Sequence, residues 1–291
     1  MSKINQQFTL PDGRKLGYDE HGPSTGKPLF YFHGTPSSRI EFNLVRNEQL
    51  LESLNIRVLA PDRPGLGLSD FQSGRRFMDW PRDVTSLADH LGLDRFAILG
   101  YSGGGPYAAA CALSIPERIS RVGIVSGAGP FTEPALVEGI PQANMRFLHL
   151  SHQRPWLSRM MIRAMGVMTR LETGSVINGV RAALPEADLA IINLPGVQQT
   201  FLAMVREAMR NGPRGPQHET LLMVTEWDFR PHDIHIPVFL WHGDVDQNAP
   251  VAMGHYMADA ISDSQAKFYP GEGHLSLFKK TADEILRTLA A

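Results

Sequence analysis

The sequence predicts an α/β fold: a mostly parallel central sheet flanked by helices, interrupted by an inserted helical cap. Three observations predict it. Continuous apolar runs of strand length alternate with amphipathic stretches of helix length, the pattern of strands buried on both faces. From residue 128 to residue 232 that alternation stops, and helical periodicity continues with no convincing strand. Finally, Gly100-Tyr-Ser-Gly-Gly104 follows the apolar run Phe96-Ala-Ile-Leu99 and precedes a helix-like Pro106-Tyr-Ala-Ala-Ala-Cys-Ala-Leu113, so a tight strand-to-helix turn carries a serine at its tip. The expected domains are a core of residues 1–127 and 233–291 and a cap of residues 128–232.

In chain order, a hairpin spans residues 6–20 and turns at Pro11-Asp-Gly13. Strands are predicted at 29–32, 56–60, 96–99, 121–125, 237–241 and 266–269, and helices at 41–53, 80–91 and 106–113. Within the cap, Leu157, Met160, Met161, Ala164, Met165 and Met168 recur at helical spacing, as do Val197, Phe201, Val205 and Met209. Most of these side chains are expected to pack the cap against itself and the core. A minority, with Met161, Met165 and Phe201 as candidates, is expected to face the cleft above Ser102, where flexible methionines suit an adaptable apolar wall.

Composition narrows the classes of function. The 291 residues, 43% hydrophobic and 20% charged, suffice for one large core, and a net charge of -2 gives no general attraction to nucleic acid or an anionic membrane. The lone Cys111 lies in a predicted core helix and reads as a small buried hydrophobe. No apolar run approaches membrane-spanning length and the first residues lack a signal-like apolar segment, so a cytoplasmic location is expected.

A serine hydroxyl becomes a good nucleophile only when a histidine takes its proton and a carboxylate orients that histidine. Both types occur downstream at predicted strand ends. The run Pro237–Trp241 leads into His242-Gly-Asp-Val-Asp-Gln-Asn-Ala-Pro250, and Ala266–Tyr269 leads into Pro270-Gly-Glu-Gly-His274. Taken with His33-Gly-Thr-Pro36 and Asp62-Arg-Pro-Gly-Leu-Gly-Leu-Ser69, these motifs make essentially the whole chain resemble the α/β-hydrolase superfamily. The likeness is to its capped branch of esterases, cofactor-free haloperoxidases, carbon-carbon bond hydrolases, epoxide hydrolases and haloalkane dehalogenases.

The resemblance implies the α/β-hydrolase fold and a triad of Ser102, Asp246 and His274, with Asp244 as the competing acid. It implies an oxyanion hole made by the backbone N–H groups of Gly103 and Thr35, with the Thr35 hydroxyl as an additional donor. His33, His242, Asp62 and Arg63 read as braces for the loops. Serine in place of aspartate at the elbow, and no tyrosine between residues 127 and 232, exclude dehalogenase and epoxide-hydrolase chemistry.

The resulting expectation is a serine esterase acting on small to medium, fairly hydrophobic esters, with no metal or organic cofactor. Its partner is a small-molecule ester, and a homodimer is compatible with the sequence. Other triad chemistry (carbon-carbon bond hydrolysis, perhydrolysis, aminopeptidase or hydroxynitrile-lyase activity) and a non-catalytic receptor are the alternatives. One departure is Gly103, where the family usually has a bulky residue; it would either widen the pocket or loosen the elbow. Replacing residues 130–229 by a short Gly-Ser linker is expected to flatten the acyl-chain preference more than it harms acetate hydrolysis, provided the truncated core still folds.

Overall fold

The computed structural model describes residues 2–170, 174–182 and 184–291. Strands β1 (Lys3–Thr9) and β2 (Lys15–His21) form the predicted hairpin, followed by β3 (Lys27–Phe32), helix α1 (Glu48–Ser53), β4 (Ile56–Pro61), α2 (Trp80–His90), β5 (Phe96–Tyr101), α3 (Gly105–Ser114) and β6 (Ile119–Val125). After the sixth strand come α4 (Gln142–Gln153), α5 (Pro155–Arg170), α6 (Gly174–Arg181), α7 (Glu186–Ile192), α8 (Val197–Ala208) and α9 (Arg214–Met223). The chain then completes the sheet with β7 (Val238–Gly243), α10 (Val251–Ala260), β8 (Ser264–Tyr269) and α11 (His274–Ala290).

The eight strands lie in the order β1-β2-β4-β3-β5-β6-β7-β8. Pairing is antiparallel for β1 with β2 and for β2 with β4, and parallel from β4 onward. Side chains alternate across this sheet with period two. Phe30 and Phe32 join a core layer with α2 and α3, while Leu29 and Tyr31 join the opposite layer with α1 and α11. A parallel sheet covered on both faces gathers loops at the carboxyl ends of its strands, and the candidate residues lie there.

Two local expectations are corrected. The single helix predicted for residues 41–53 is a 3-10 turn over Arg39–Leu44 and a separate α1. The break falls at Asn47, whose extended backbone and side-chain acceptor for the Leu50 N–H (3.1 Å) start a new helix. In α5, the methionine stripe does not form the buried face: Met160, Met161 and Met168 are exposed, whereas Ser158, Ile162 and Thr169 are buried. The Ser158 and Thr169 hydroxyls donate to the carbonyls of Pro155 and Gly166, and a polar group satisfied inside its own helix can be buried.

The segment between β6 and β7 contains helices and no strand among the described residues. It is bonded into the rest of the molecule. Ile191, Ile192, Val197, Met204 and Val205 share a core layer with Leu277 and Phe278 of α11, and Leu222, Met223 and Trp227 share the other with α2 and α3. No helix among the described residues is long and apolar enough to cross a membrane.

Candidate active site

Ser102 stands at the junction of β5 and α3 with φ of +54°, a left-handed conformation that a serine adopts at a strain of about 1–3 kcal/mol. The two flanking glycines make the turn sterically feasible. A Cβ on Gly100 would lie 2.6 Å from the Gly104 carbonyl oxygen and 2.8 Å from Ala108 Cβ, and one on Gly104 would collide with the Phe32 carbonyl. The Ser102 carbonyl accepts from the Ala128 N–H at 3.0 Å, which anchors the turn to the loop after β6.

Asp246 and His274 meet across two strand ends. His274 Nδ1 lies 2.7 Å from Asp246 Oδ2, and because an ionised carboxylate only accepts, Nδ1 carries the proton and Nε2 is left as the basic nitrogen. The other oxygen of Asp246 accepts the N–H groups of Asn248 and Ala249, both at 2.9 Å, which fixes the carboxylate plane. Asp244 is exposed and accepts the Gly271 N–H instead, so the structure separates the two candidate acids.

Tyr101, next to Ser102, packs its ring 5.0 Å from the His274 ring and donates its hydroxyl to the His274 carbonyl. This contact brings the histidine to the elbow. A direct hydrogen bond between Ser102 and His274 is not among those formed by the described residues, and such contacts often tighten only when substrate is bound.

The electrostatics favour a proton on the imidazole. Burial works against the His274 imidazolium, but the charges of Asp246, Asp188 and Glu41 outweigh it and hold its pKa above the ordinary histidine value. Asp246 shows the complementary balance: burial would raise it, yet His274 and the backbone donors keep it below the ordinary aspartate value. His242 is pushed down by burial, donates through Nε2 to the Ala249 carbonyl at 2.7 Å and so serves the acid loop.

Opposite the elbow, the loop after β3 presents Thr35. Its N–H lies 3.3 Å from the point a Cβ on Gly103 would occupy and donates to no described protein group. The Gly103 N–H belongs to the first turn of the helix that begins at Ser102, where donors have no intrahelical partner. These two amides form a compact pair of donors beside Ser102.

Gly34 cannot join them, because its N–H donates to Glu41 Oε2 at 2.6 Å, as does the Tyr31 hydroxyl. Glu41 is a buried carboxyl whose other oxygen lies 3.2 Å from the site of a Gly34 Cβ, against 3.2 Å for Ser102 Cβ. Sequence reading missed it by placing it at the start of a helix; the signal was an acid between Ile40 and Phe42.

The chain matches the α/β-hydrolase fold family over residues 27–281. It is a member of that family. Among relatives of this α/β hydrolase, a non-heme haloperoxidase from Rhodococcus erythropolis is 28% identical, covering 91% of each chain. A non-heme chloroperoxidase from Streptomyces lividans is 35% identical over 42% of this chain, a match spanning less than half (44%) of that relative's length. Of solved structures, a hydrolase from Pseudomonas aeruginosa PA01 superposes with a TM-score of 0.71 at 21% identity, covering 98% of this chain and 97% of that one. A thermophilic esterase from Thermogutta terrifontis gives 0.69 at 22%, with the same coverage.

Two readings of the hydrolase's loop after β3 change. The space beside Gly103 is filled by Thr35: a Cβ at position 103 would lie 2.5 Å from Thr35 Oγ1 and 3.0 Å from its Cβ. Glycine there therefore admits the threonine side chain and does not widen the pocket. The Thr35 hydroxyl is also committed, accepting from Arg63 at 2.9 Å and donating to Glu219 Oε2 at 3.1 Å, so it is not a spare oxyanion donor.

Arg63 is fully buried and braces the loop, donating to the carbonyls of His33 and Gly34 and pairing with Glu219 at 2.8 Å. Glu219 comes from α9, also pairs with Arg75 and accepts from Tyr107; burial would raise its pKa, but the two arginines drive it well below the ordinary range. His33 is buried and held neutral by burial and by Arg63, bonded to the Gly34 carbonyl.

Of the three proposed wall residues, Met161 is exposed on α5, and Met165 and Phe201 are half-buried against the core layer that includes Tyr101 and Leu277. Cys111 is buried in α3, where burial pushes its thiol pKa well up. No cluster of three or more His, Cys, Asp or Glu able to hold a metal occurs among the described residues.

Proposed function

We propose that this α/β hydrolase cleaves carboxylic esters through an acyl-enzyme on Ser102. The observation that carries the reading is the strained Ser102 at the elbow, whose neighbour Tyr101 packs 5.0 Å from the ring of His274, itself paired at 2.7 Å with a buried Asp246. In this reading Nε2 of His274 removes the Ser102 proton as Oγ attacks the ester carbonyl. The Gly103 and Thr35 N–H groups receive the developing oxyanion. The imidazolium then protonates the departing alkoxide, and an acyl ester on Ser102 remains. Water, deprotonated by the same imidazole, attacks that ester and releases the acid, restoring Ser102. Asp246 keeps the proton on Nδ1 throughout.

The helices between β6 and β7 act as the cap, and their apolar residues favour an uncharged, fairly hydrophobic acyl or alcohol group. Likeness to named esterases and to a haloperoxidase supports this class of chemistry. Hydrogen peroxide replacing water in the second step would give a peracid at the same site, a side reaction that the haloperoxidase relative favours. A panel of p-nitrophenyl esters from acetate to longer straight chains tests the proposal. Each buried methylene contributes up to about 0.8 kcal/mol, or nearly fourfold in kcat/KM, until the pocket is full. A flat profile, or acetate as the best substrate, would remove the hydrophobic acyl pocket from the account.

A further inference from the structure

The helix that carries His274 begins without a side chain of its own to satisfy its first donors. The residue before it is Gly273, and the opening N–H groups of a helix have no intrahelical partner. Those donors are met from far away in the chain. Asp188 of α7 accepts the His274 N–H through Oδ2 at 3.0 Å, and the Leu275 and Ser276 N–H groups through Oδ1 at 2.9 and 2.8 Å. Its side chain is fully buried. We propose that Asp188, supplied by the helical insertion, is a positioning residue that fixes the backbone of His274 and thereby aims its imidazole between Asp246 and Ser102.

A second observation points the same way. A Cβ on Gly273 would lie 2.6–2.7 Å from the Asp188 carboxylate, so glycine at this position leaves room for the cap residue to reach the helix. The backbone of Gly273, with φ of -95°, does not itself demand glycine. Three charge-assisted bonds to consecutive amides hold the first turn in one place, and a displacement of about 1 Å in a catalytic group can lower turnover on the order of a hundredfold. The arrangement makes docking of the insertion a condition for a correctly placed histidine.

Asp188 also adds negative charge near the imidazole. The groups that face His274 are Asp246 and His242 from β7 and its loop, Tyr101 from β5, Glu41 from the 3-10 turn after β3, and Asp188 from α7. Asp188→Asn changes one of them, keeps the shape and retains an acceptor oxygen.

The inference rests on His274 being the base of the proposed reaction, and the full-length protein allows the two to be judged separately. The His274 imidazole is titrated by NMR without substrate in the wild type, Asp188→Asn, Asp188→Ala and Gly273→Ala, and kcat and KM are measured with p-nitrophenyl acetate. Asp188→Asn is expected to lower the imidazole pKa, because a neighbouring negative charge has gone, and to move the acid limb of kcat/KM in the same direction. The kcat should fall about tenfold or more while KM changes less than about threefold.

Gly273→Ala should reproduce the loss in the wild type but add less than about twofold in the Asp188→Ala background, since the clash is then absent. An unchanged His274 titration with kcat within about twofold of wild type in Asp188→Asn overturns the proposal, as would full additivity of Gly273→Ala and Asp188→Ala. If the wild type hydrolyses no ester, the functional reading fails, while the substrate-free His274 titration in Gly273→Ala, which displaces the helix start without changing a charge, still decides the role of Asp188: a shift relative to wild type supports it and an unchanged titration overturns it.

Discussion

Ser102, His274 and Asp246 form the residue-scale account, and each has its own test. Ser102→Ala removes the proposed nucleophile, so ester turnover should fall by several powers of ten with circular dichroism unchanged. Retention of more than about a tenth of the activity would place the nucleophile elsewhere. Asp246→Asn should lower kcat by about 10³ to 10⁴ through the wrong imidazole tautomer, whereas Asp244→Asn, at an exposed turn, should lower it about tenfold or less. The reverse ranking would reassign the acid.

Because the pKa of His274 is held above the ordinary value of about 6.5, kcat/KM should rise with pH through an ionisation above that value, as the proton leaves the base. The same pair contributes to stability in a defined window. The raised His274 pKa gives stability that is full below about 6.5 and lost as pH rises through the folded value. The lowered Asp246 pKa gives stability present above about 3.9 and lost on acidification. These three residues were legible because each sits in a short local motif at a strand end. Asp188 and Glu219 were not, since their partners lie 86 and 156 positions away and nothing in the local sequence names them.

At the scale of elements, the strands were read well because residues buried on both faces leave long apolar runs, and α8 because Val197 and Val205 are buried on it, with Met209 buried at its C-terminal cap. Helix α5 misled because its apolar residues outnumber its buried positions, and two hydroxyl residues bonded within the helix take inward places. Gly103 was read against family habit as either widening the pocket or loosening the elbow, whereas the loop after β3 and the turn before α3 interlock through Thr35. Gly103→Ala should therefore reduce kcat/KM by about tenfold or more, since Thr35 is pinned by Arg63 and Glu219 and cannot turn aside at low energy. Thr35→Ala should restore part of the loss in the double variant. Wild-type activity in Gly103→Ala would show that the interlock is loose.

For the molecule as a whole, the helical segment between β6 and β7 is bonded to both sides of the candidate site, through Asp188 to the start of α11 and through Glu219 to Arg63, which braces the loop after β3. Removing residues 130–229 would break both sets of contacts, so the condition attached to that deletion, that the truncated core still folds, is a demanding one. Their loss would leave Arg63 and Arg75 buried without a counter-charge. A smaller change exposes the same dependence: Glu219→Gln should destabilise the protein by about 3–5 kcal/mol in denaturant unfolding, the usual consequence of breaking a buried ion pair. A change below about 1 kcal/mol would mean that water or rearrangement compensates.

The claim that joins all three scales is that chemistry passes through a covalent ester on Ser102. Intact-mass spectrometry after reaction with a p-nitrophenyl phosphonate, followed by peptide mapping, tests it most directly. The account predicts one phosphonyl group per chain, on Ser102, with ester hydrolysis lost in proportion and no label on Ser102→Ala. Label on another residue, or full hydrolysis by a protein whose Ser102 is blocked, would contradict it.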